Sequence, residues 1–390
     1  MFGLYVHYPY CLQRCTYCDF ATDLYKNEEK STIYFQNLAK EVSLSSEYFE
    51  HKALTSIYFG GGTPSLVEPI QFASFFIALK NNGYTWDQTC EITLEINPDT
   101  VNKSKLQEYM AIGFNRFSIG AQTFNNDLLH KVGRLHSSED THRNLRDLAE
   151  LDVNFSCDLL YSLPNKSKAG VLNDLQQLLE YKPKHISPYI LTLPERHRLQ
   201  KGRASDEIQR QMMLEITEIL IANGFVQYEI SNFARENFAS RHNKNAWLGH
   251  PYLGLGMSAH SYLSEQNWGV RFANPNTVAA YEKLLSKKVI GKPYNEDLQF
   301  VEILKKHEAL SDFCHTSMRL RSGLNFNILR NIFGNNAEKH VKSRLHAAKT
   351  ARFLETTSDG VRLNSEGILF SNLVFEDLLF LEEDSKHLDT

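Results

Sequence analysis

What the 390-residue chain lacks narrows its role first. No run approaches the roughly 18 apolar residues of a membrane-spanning helix. The opening Met-Phe-Gly-Leu-Tyr-Val-His-Tyr-Pro-Tyr-Cys has no basic stretch followed by a long apolar one. It does not read as a secretory signal, and the expected compartment is the cytoplasm. Positive charge is not in excess: 42 Lys and Arg stand against 46 Asp and Glu, a formal charge of −4. A protein that grips a polyanion needs a concentrated basic face, so nucleic acid is not an expected partner. The short basic stretch His340 to Arg344 reads as the solvated side of a helix. A secreted disulfide framework is missing too. Of six cysteines, Cys11, Cys15 and Cys18 crowd together, while Cys90, Cys157 and Cys314 stand apart. No repeat or low-complexity segment occurs.

What is present is regular alternation. Gly3 to His7 reads as a strand and 31–49 as a helix. The pattern continues with Ser56 to Phe59 and 68–82, then Glu91 to Ile96 and 103–111. Arg116 to Ile119 precedes a helix over 138–150, and Val153 to Leu160 precedes one over 170–181. His185 to Leu191 and 206–223 complete six strand–helix units. Parallel strands need such crossovers, so the fold class is α/β, as a barrel or a doubly wound sheet. Residues 233–262, rich in Asn, Gly, His and aromatics, read as a loop-rich functional segment. From about 294 the chain reads mainly helical. Phe353 to Thr356 and Val361 to Leu363 flank a Ser-Asp-Gly hairpin turn, and a helix is expected over 365–381. The division is therefore 1–235 for the α/β domain, 236–293 for a loop-rich segment and linker, and 294–390 for a smaller, winged-helix-like accessory domain.

Cys11-x3-Cys15-x2-Cys18 follows directly on the first strand. Soft thiolates suit iron–sulfur clusters or zinc. Three thiolates can hold three corners of a [4Fe–4S] cube and leave the fourth iron open. A zinc site would need a fourth ligand, such as His7. Cys90, Cys157 and Cys314 read as ordinary buried cysteines. Gly60-Gly61-Gly62-Thr63-Pro64 closes the second strand, where glycine lets backbone approach a ligand; a plain strand–helix turn is the simpler reading. Glu95, Gln122 and Asp158 sit at or near the carboxyl ends of strands three, four and five, where α/β barrels place their chemistry. Arg134 has a planar fork suited to a carboxylate, and an exposed helical Arg is its alternative. Tyr5 could line the same pocket or sit in the core.

The cysteine spacing, with Tyr17 before the last cysteine, resembles the signature of the radical S-adenosylmethionine (SAM) superfamily. Further segments resemble its coproporphyrinogen-dehydrogenase-like branch. They include Tyr-Val-His-Tyr-Pro-Tyr-Cys, Gly-Gly-Gly-Thr-Pro-Ser, Arg-Phe-Ser-Ile-Gly-Ala-Gln, Tyr228 to Ala234, and Arg241-His242-Asn243. The likeness runs over nearly the whole chain. It implies a partial (β/α)6 barrel of the TIM-like, radical SAM type with a C-terminal accessory domain. It implies a [4Fe–4S] cluster on Cys11, Cys15 and Cys18. It also implies SAM at Tyr5, Gly62, Thr63, Glu95, Gln122, Arg134, Asp158 and His260, and an electron donor such as flavodoxin or ferredoxin.

Two kinds of protein share that branch: oxygen-independent coproporphyrinogen III oxidases and haem chaperones. Phe20 stands where the oxidases carry a further cysteine, and the first strand begins too early for their N-terminal arm. His242-Asn243-Lys244-Asn245-Ala246-Trp247 resembles the chaperones' His-Asn-x-x-Tyr-Trp, with Ala246 in place of Tyr. His242 and Trp247 are the haem candidates the resemblance supplies, and packing near the barrel mouth is their alternative. A haem-acceptor protein would then be the partner. Ser162 to Ser167 and Pro194 to His197 depart from the branch pattern. A divergent radical SAM enzyme acting on another tetrapyrrole is the third reading.

Overall fold

A computed structural model of the chain describes residues 1–46, 52–264, 268–287 and 298–388. Strands β1 (Gly3–Tyr8), β2 (Ser56–Gly61), β3 (Glu91–Ile96), β4 (Arg116–Gln122), β5 (Asn154–Leu160) and β6 (His185–Tyr189) lie side by side and parallel. Each leads to a crossover helix: α1 (Glu28–Ser45), α2 (Pro69–Asn81), α3 (Lys103–Ala111), α4 (Ser138–Glu150), α5 (Lys168–Leu179) and α6 (Asp206–Ala222). These are the six expected units, and β3, α3 and α4 fall on the expected bounds.

Local chemistry explains the agreement. Ile92, Leu94 and Ile96 alternate along β3 and are buried. The Asn102 side chain caps α3 by accepting from the Lys105 amide, and Ser137 with Asp140 forms a capping box on α4. Helix α1 begins earlier than expected because Asn27 caps it. The last three residues of the helix expected over 31–49, and the boundary at 293/294, lie outside the described residues.

The segment read as loop-rich is more ordered than expected. It carries β8 (Asn232–Ala234), helix α7 (Arg241–Trp247), β9 (Tyr252–Leu255) and β10 (His260–Leu263). With β7 (Val226–Glu229), β11 (Val270–Ala273) and β12 (Phe300–Ile303), the sheet has twelve strands. Their order is β12-β11-β10-β9-β1-β2-β3-β4-β5-β6-β8-β7. Strand β9 pairs parallel with β1, Leu4 facing Leu253. Such short strands are set by long-range pairing rather than by local pattern. A Cβ on Gly254 would stand 2.0 Å from the His260 carbonyl oxygen, so a glycine that reads locally as a loop residue is what lets β9 and β10 close up.

One apolar core fills the space between sheet and helices around Leu4, Ile57, Phe59, Phe72 and Phe117. A second gathers Leu310, Met318, Leu329, Val341 and Val374 under a three-stranded sheet that includes the expected hairpin, Leu354–Thr356 with Gly360–Leu363. The helix expected over 365–381 is two pieces, Ser365–Leu369 and Ser371–Asp377. Phe370 between them leaves helical geometry as its ring stacks on Phe353 at 5.2 Å. Cys90, Cys157 and Cys314 are buried and free. Among the described residues no helix is long and apolar enough to cross a membrane.

Candidate functional site

The sheet places two adjoining cavities side by side. The first, about 390 Å³, collects nine of the residues singled out in the sequence: Cys11, Cys15, Cys18, Gly62, Thr63, Glu95, Gln122, Arg134 and Asp158. The cysteine loop is fastened at several points. Tyr25 donates to the Cys11 carbonyl at 2.8 Å, and the Thr16 amide donates to Val132 at 3.0 Å. His197 bonds the Thr16 carbonyl at 2.9 Å. The Thr63 hydroxyl donates to the Cys11 sulfur at 3.4 Å, and an Arg134 Nη does so to Cys15 at 3.8 Å.

Burial pushes the Cys11 thiol up to about 11 and raises that of Cys18, with neighbouring thiols adding to both. Such thiols lose their protons readily only to a metal, whose charge replaces the proton. Among the described residues no three His, Cys, Asp or Glu side chains converge on a single ion. A cube takes its thiolates at separate corners, farther apart than the ~3.8 Å between ligands of one tetrahedral ion. The chemistry of the donor set fits a cluster: three soft thiols with two donors, Thr63 and Arg134, already turned to the sulfurs of Cys11 and Cys15.

The other groups are held as firmly. Gly61 has φ +106°, and a Cβ there would strike the His7 ring at 2.5 Å. A Cβ on Gly62 would meet Pro9 and Tyr10 backbone at 2.8 Å. The Glu95 carboxylate accepts from the Tyr58 hydroxyl at 2.7 Å and the Gly61 amide at 3.2 Å. Burial pushes Glu95 up to about 7 and Asp158 to about 6; a bond from Ser187 opposes the second shift. Arg134 is not on a helix: its Nη2 donates to Asn97 Oδ1 and to the Gly120 carbonyl, both at 2.8 Å. Gln122 ends β4 with φ +65°, where the pairing with β5 shifts register. The cavity thus offers the guanidinium groups of Arg134 and Arg116, the carboxyls of Glu95 and Asp158 raised toward neutrality, and three thiols.

The second cavity, about 550 Å³, shares Asp19, Phe20, Tyr58, Glu95 and Asn243 with the first. It holds Tyr5, His242, Trp247 and His260, so Tyr5 and His260 line this space and not the cysteine-lined one. His242 lies in the first turn of α7, whose amides at Arg241 and His242 donate to Glu91 at 3.0 and 3.1 Å. Its Nδ1 pairs with Ser56 Oγ at 3.0 Å, and its ring stacks on Tyr58 at 5.2 Å. Burial, then the Arg116 charge, lowers His242 to about 4, so the imidazole is neutral at pH 7. Among the described residues nothing bonds its Nε2. Trp247 lies under the Arg319 guanidinium at 4.5 Å, and among the described residues its buried indole N–H has no partner. His260 opens β10 beside Phe300, its ring also shifted toward neutrality by burial.

Tyr58 and Asn97 are not among the residues singled out in the sequence, His7 enters there only as a possible zinc ligand, and Asn243 only as part of a motif. His7 Nε2 bonds the Ala21 carbonyl at 2.9 Å, and Nδ1 bonds the Tyr5 hydroxyl at 3.0 Å. A carbonyl only accepts, so Nε2 carries the proton and Tyr5 donates to Nδ1. His7 thereby ties the cysteine loop to the second cavity. Period-two alternation could have found Asn97, two residues after Glu95, and Tyr58, two before Gly60.

Known proteins place this arrangement. Residues 5–178 match the model of the radical SAM superfamily. The heme chaperone HemW of Haemophilus influenzae is 30% identical, with 98% of each chain aligned. HemW of Buchnera aphidicola from Schizaphis graminum is 35% identical over 68% of this chain and 71% of its own. A Danio rerio protein named radical S-adenosyl methionine domain-containing protein 1, mitochondrial, is 31% identical over 97% and 86%. The solved structure of coproporphyrinogen III oxidase (HemN) from Escherichia coli shares the fold, with a TM-score of 0.83 at 19% identity over 97% and 90%. Cysteine loop, glycine turn and parallel sheet thus recur together along the chain, which belongs to the radical SAM superfamily, in its HemN-like branch beside the HemW proteins.

Proposed function

We propose that this protein is a cytoplasmic haem chaperone that binds haem in the second cavity and passes it to an acceptor protein. The observation that carries this reading is His242: a neutral imidazole with an unengaged Nε2, next to Trp247, in a cavity of ligand size beside the cysteine-lined one. Neutral imidazole is an iron ligand, and an indole offers a flat apolar face to a porphyrin. The names of the HemW relatives point the same way. Cys11, Cys15 and Cys18 hold a [4Fe–4S] cluster with one iron open, and SAM takes the rest of the first cavity. Gly62 and Thr63 with Glu95 receive its amino end, Arg134 its carboxylate, and Asp158 and Gln122 its nucleoside. Tyr5 and His260 serve the second cavity. When bound and reduced by a flavodoxin or ferredoxin, this pair of cofactors supplies one-electron chemistry. The division at 1–235, 236–293 and 294–390 belongs to the same proposal, the last part being an accessory domain.

The test is a haem titration of the full chain followed by absorbance, against His242→Ala. The variant is expected to lose about tenfold or more in affinity, with a changed Soret band. Identical affinity and spectrum would remove His242 from the site. A second reading rests on the shared wall of Tyr58 and Glu95, which would set a tetrapyrrole substrate beside SAM. Conversion of coproporphyrinogen to protoporphyrinogen with SAM and a reductant would establish the oxidase instead. SAM-dependent turnover of a different tetrapyrrole would establish the divergent enzyme.

A further inference from the structure

Arg116 begins β4 and is only 2% exposed, yet among the described residues its side chain makes no hydrogen bond and no ion pair. Its Nε is sealed from solvent without a partner, and the side chain lines the first cavity. A guanidinium carries five donors, and burying it unpaired is costly. The nearby carboxylates are engaged elsewhere. Glu91 caps α7, Glu95 holds Tyr58 and the Gly61 amide, and Asp158 takes Ser187. They balance the charge of Arg116 without satisfying its donors.

Position says which anion Arg116 can receive. Arg116 and Gln122 open and close the same strand, roughly 20 Å apart at strand rise. SAM's one carboxylate belongs at the cysteine end, so it is not the anion for Arg116. Register aligns Tyr5, Tyr58, Thr93 and Arg116 in one row across four neighbouring strands. Arg116 is thus two strands, about 10 Å, from the Tyr58 backbone. Tyr58 stacks on His242, and the charge of Arg116 is felt at His242 itself. Asn243, which lines both cavities, marks the way between them.

We propose that Arg116 is an anion-receiving group of the first cavity, taking one carboxylate arm of the tetrapyrrole seated at His242. This inference rests on the haem reading. A long arginine and a propionate arm together span the two-strand step, and the planar fork suits a carboxylate.

Haem and its dimethyl ester, titrated against the full-length chain, Arg116→Met and Arg116→Lys, separate the two claims. Arg116→Met should bind haem about tenfold to a hundredfold more weakly and the diester as the unsubstituted protein does. Arg116→Lys, which keeps the charge and drops the fork, should weaken haem several-fold with the diester unchanged. It carries the test if the Met variant does not fold. Equal weakening of both ligands, unchanged haem affinity, or a loss confined to SAM would overturn the role of Arg116 while leaving the haem reading standing. An unsubstituted protein that binds neither porphyrin would take down both.

Discussion

The two cavities share a wall, and each adds different groups to it. The first is polar, with carboxyls, a guanidinium and thiols fixed by backbone in special conformations at Gly61 and Gln122. The second is lined by neutral imidazoles and aromatic rings: His7, His242 and His260 are all shifted away from their charged forms. A charged, zwitterionic small molecule and an iron porphyrin ask for these two environments respectively. The difference teaches that one sheet can give two neighbouring cavities different chemical groups: fixed guanidinium groups and thiols on one side, neutral imidazoles on the other.

The sharpest way to break that comparison is to empty one side. Cys11→Ala removes one of three corner thiolates, and the remaining two cannot hold a cube. Anaerobically prepared variant should contain no iron and no acid-labile sulfide, and its brown colour should be gone. Haem affinity, read in parallel, should stay within a factor of a few. A cluster that persists would contradict the ligand set. Haem binding that vanishes with it would show the two cavities to be one site.

A second test concerns charge stored in the first cavity. Burial raises Glu95 to about 7 from an ordinary 4.5, so the folded state holds that proton more tightly than the unfolded chain. The stability this contributes is fully present below about pH 4.5 and is lost as pH rises through about 7. Asp158, raised to about 6, acts in the same direction. Glu95→Gln should therefore stabilise the cofactor-free protein at pH 8, by on the order of 2–3 kcal/mol, and make little difference at pH 4.5. Melting curves across that range decide it. A variant equally or less stable than the parent at pH 8 would show that Tyr58 and Gly61 compensate the buried carboxylate in full.

The same contrast governs what could be read from the chain. The first cavity is built from consecutive strand ends, so each motif carries its place with it: Cys11 after β1, Gly62 after β2, Glu95 on β3, Gln122 on β4 and Asp158 on β5. Helix caps at Asn102 and Ser137 made boundaries local. The second cavity depends on α7 reaching back to Glu91 and Ser56, contacts spanning 150 and 186 positions. No local pattern encodes those, and residues 233–262 read as loop although they add three strands, β8, β9 and β10, to the sheet. Arg116 shows an intermediate case. Period two along Arg-Phe-Ser-Ile-Gly-Ala-Gln puts it on the face of Gln122, but only the packed structure shows its buried Nε unmatched.

The smallest expected effect tests how finely the second cavity is set. The Ser56 hydroxyl can donate to His242 Nδ1 or accept from it. In the first case the ring proton sits on Nε2, which then cannot bind iron. In the second, Nδ1–H donates to Ser56 and the Nε2 lone pair faces the cavity. Iron ligation through Nε2 therefore requires Ser56 as acceptor, a partner that also fixes the ring plane against Tyr58. Ser56→Ala removes that partner without touching the ligand itself. A single neutral hydrogen bond contributes about 1 kcal/mol, so haem affinity should fall about fivefold, with a broadened Soret band from a less ordered ring. An unchanged titration would mean that stacking on Tyr58 alone orients His242, or that the iron is held elsewhere. His242→Ala separates those outcomes, since only a true ligand leaves a much larger loss when removed.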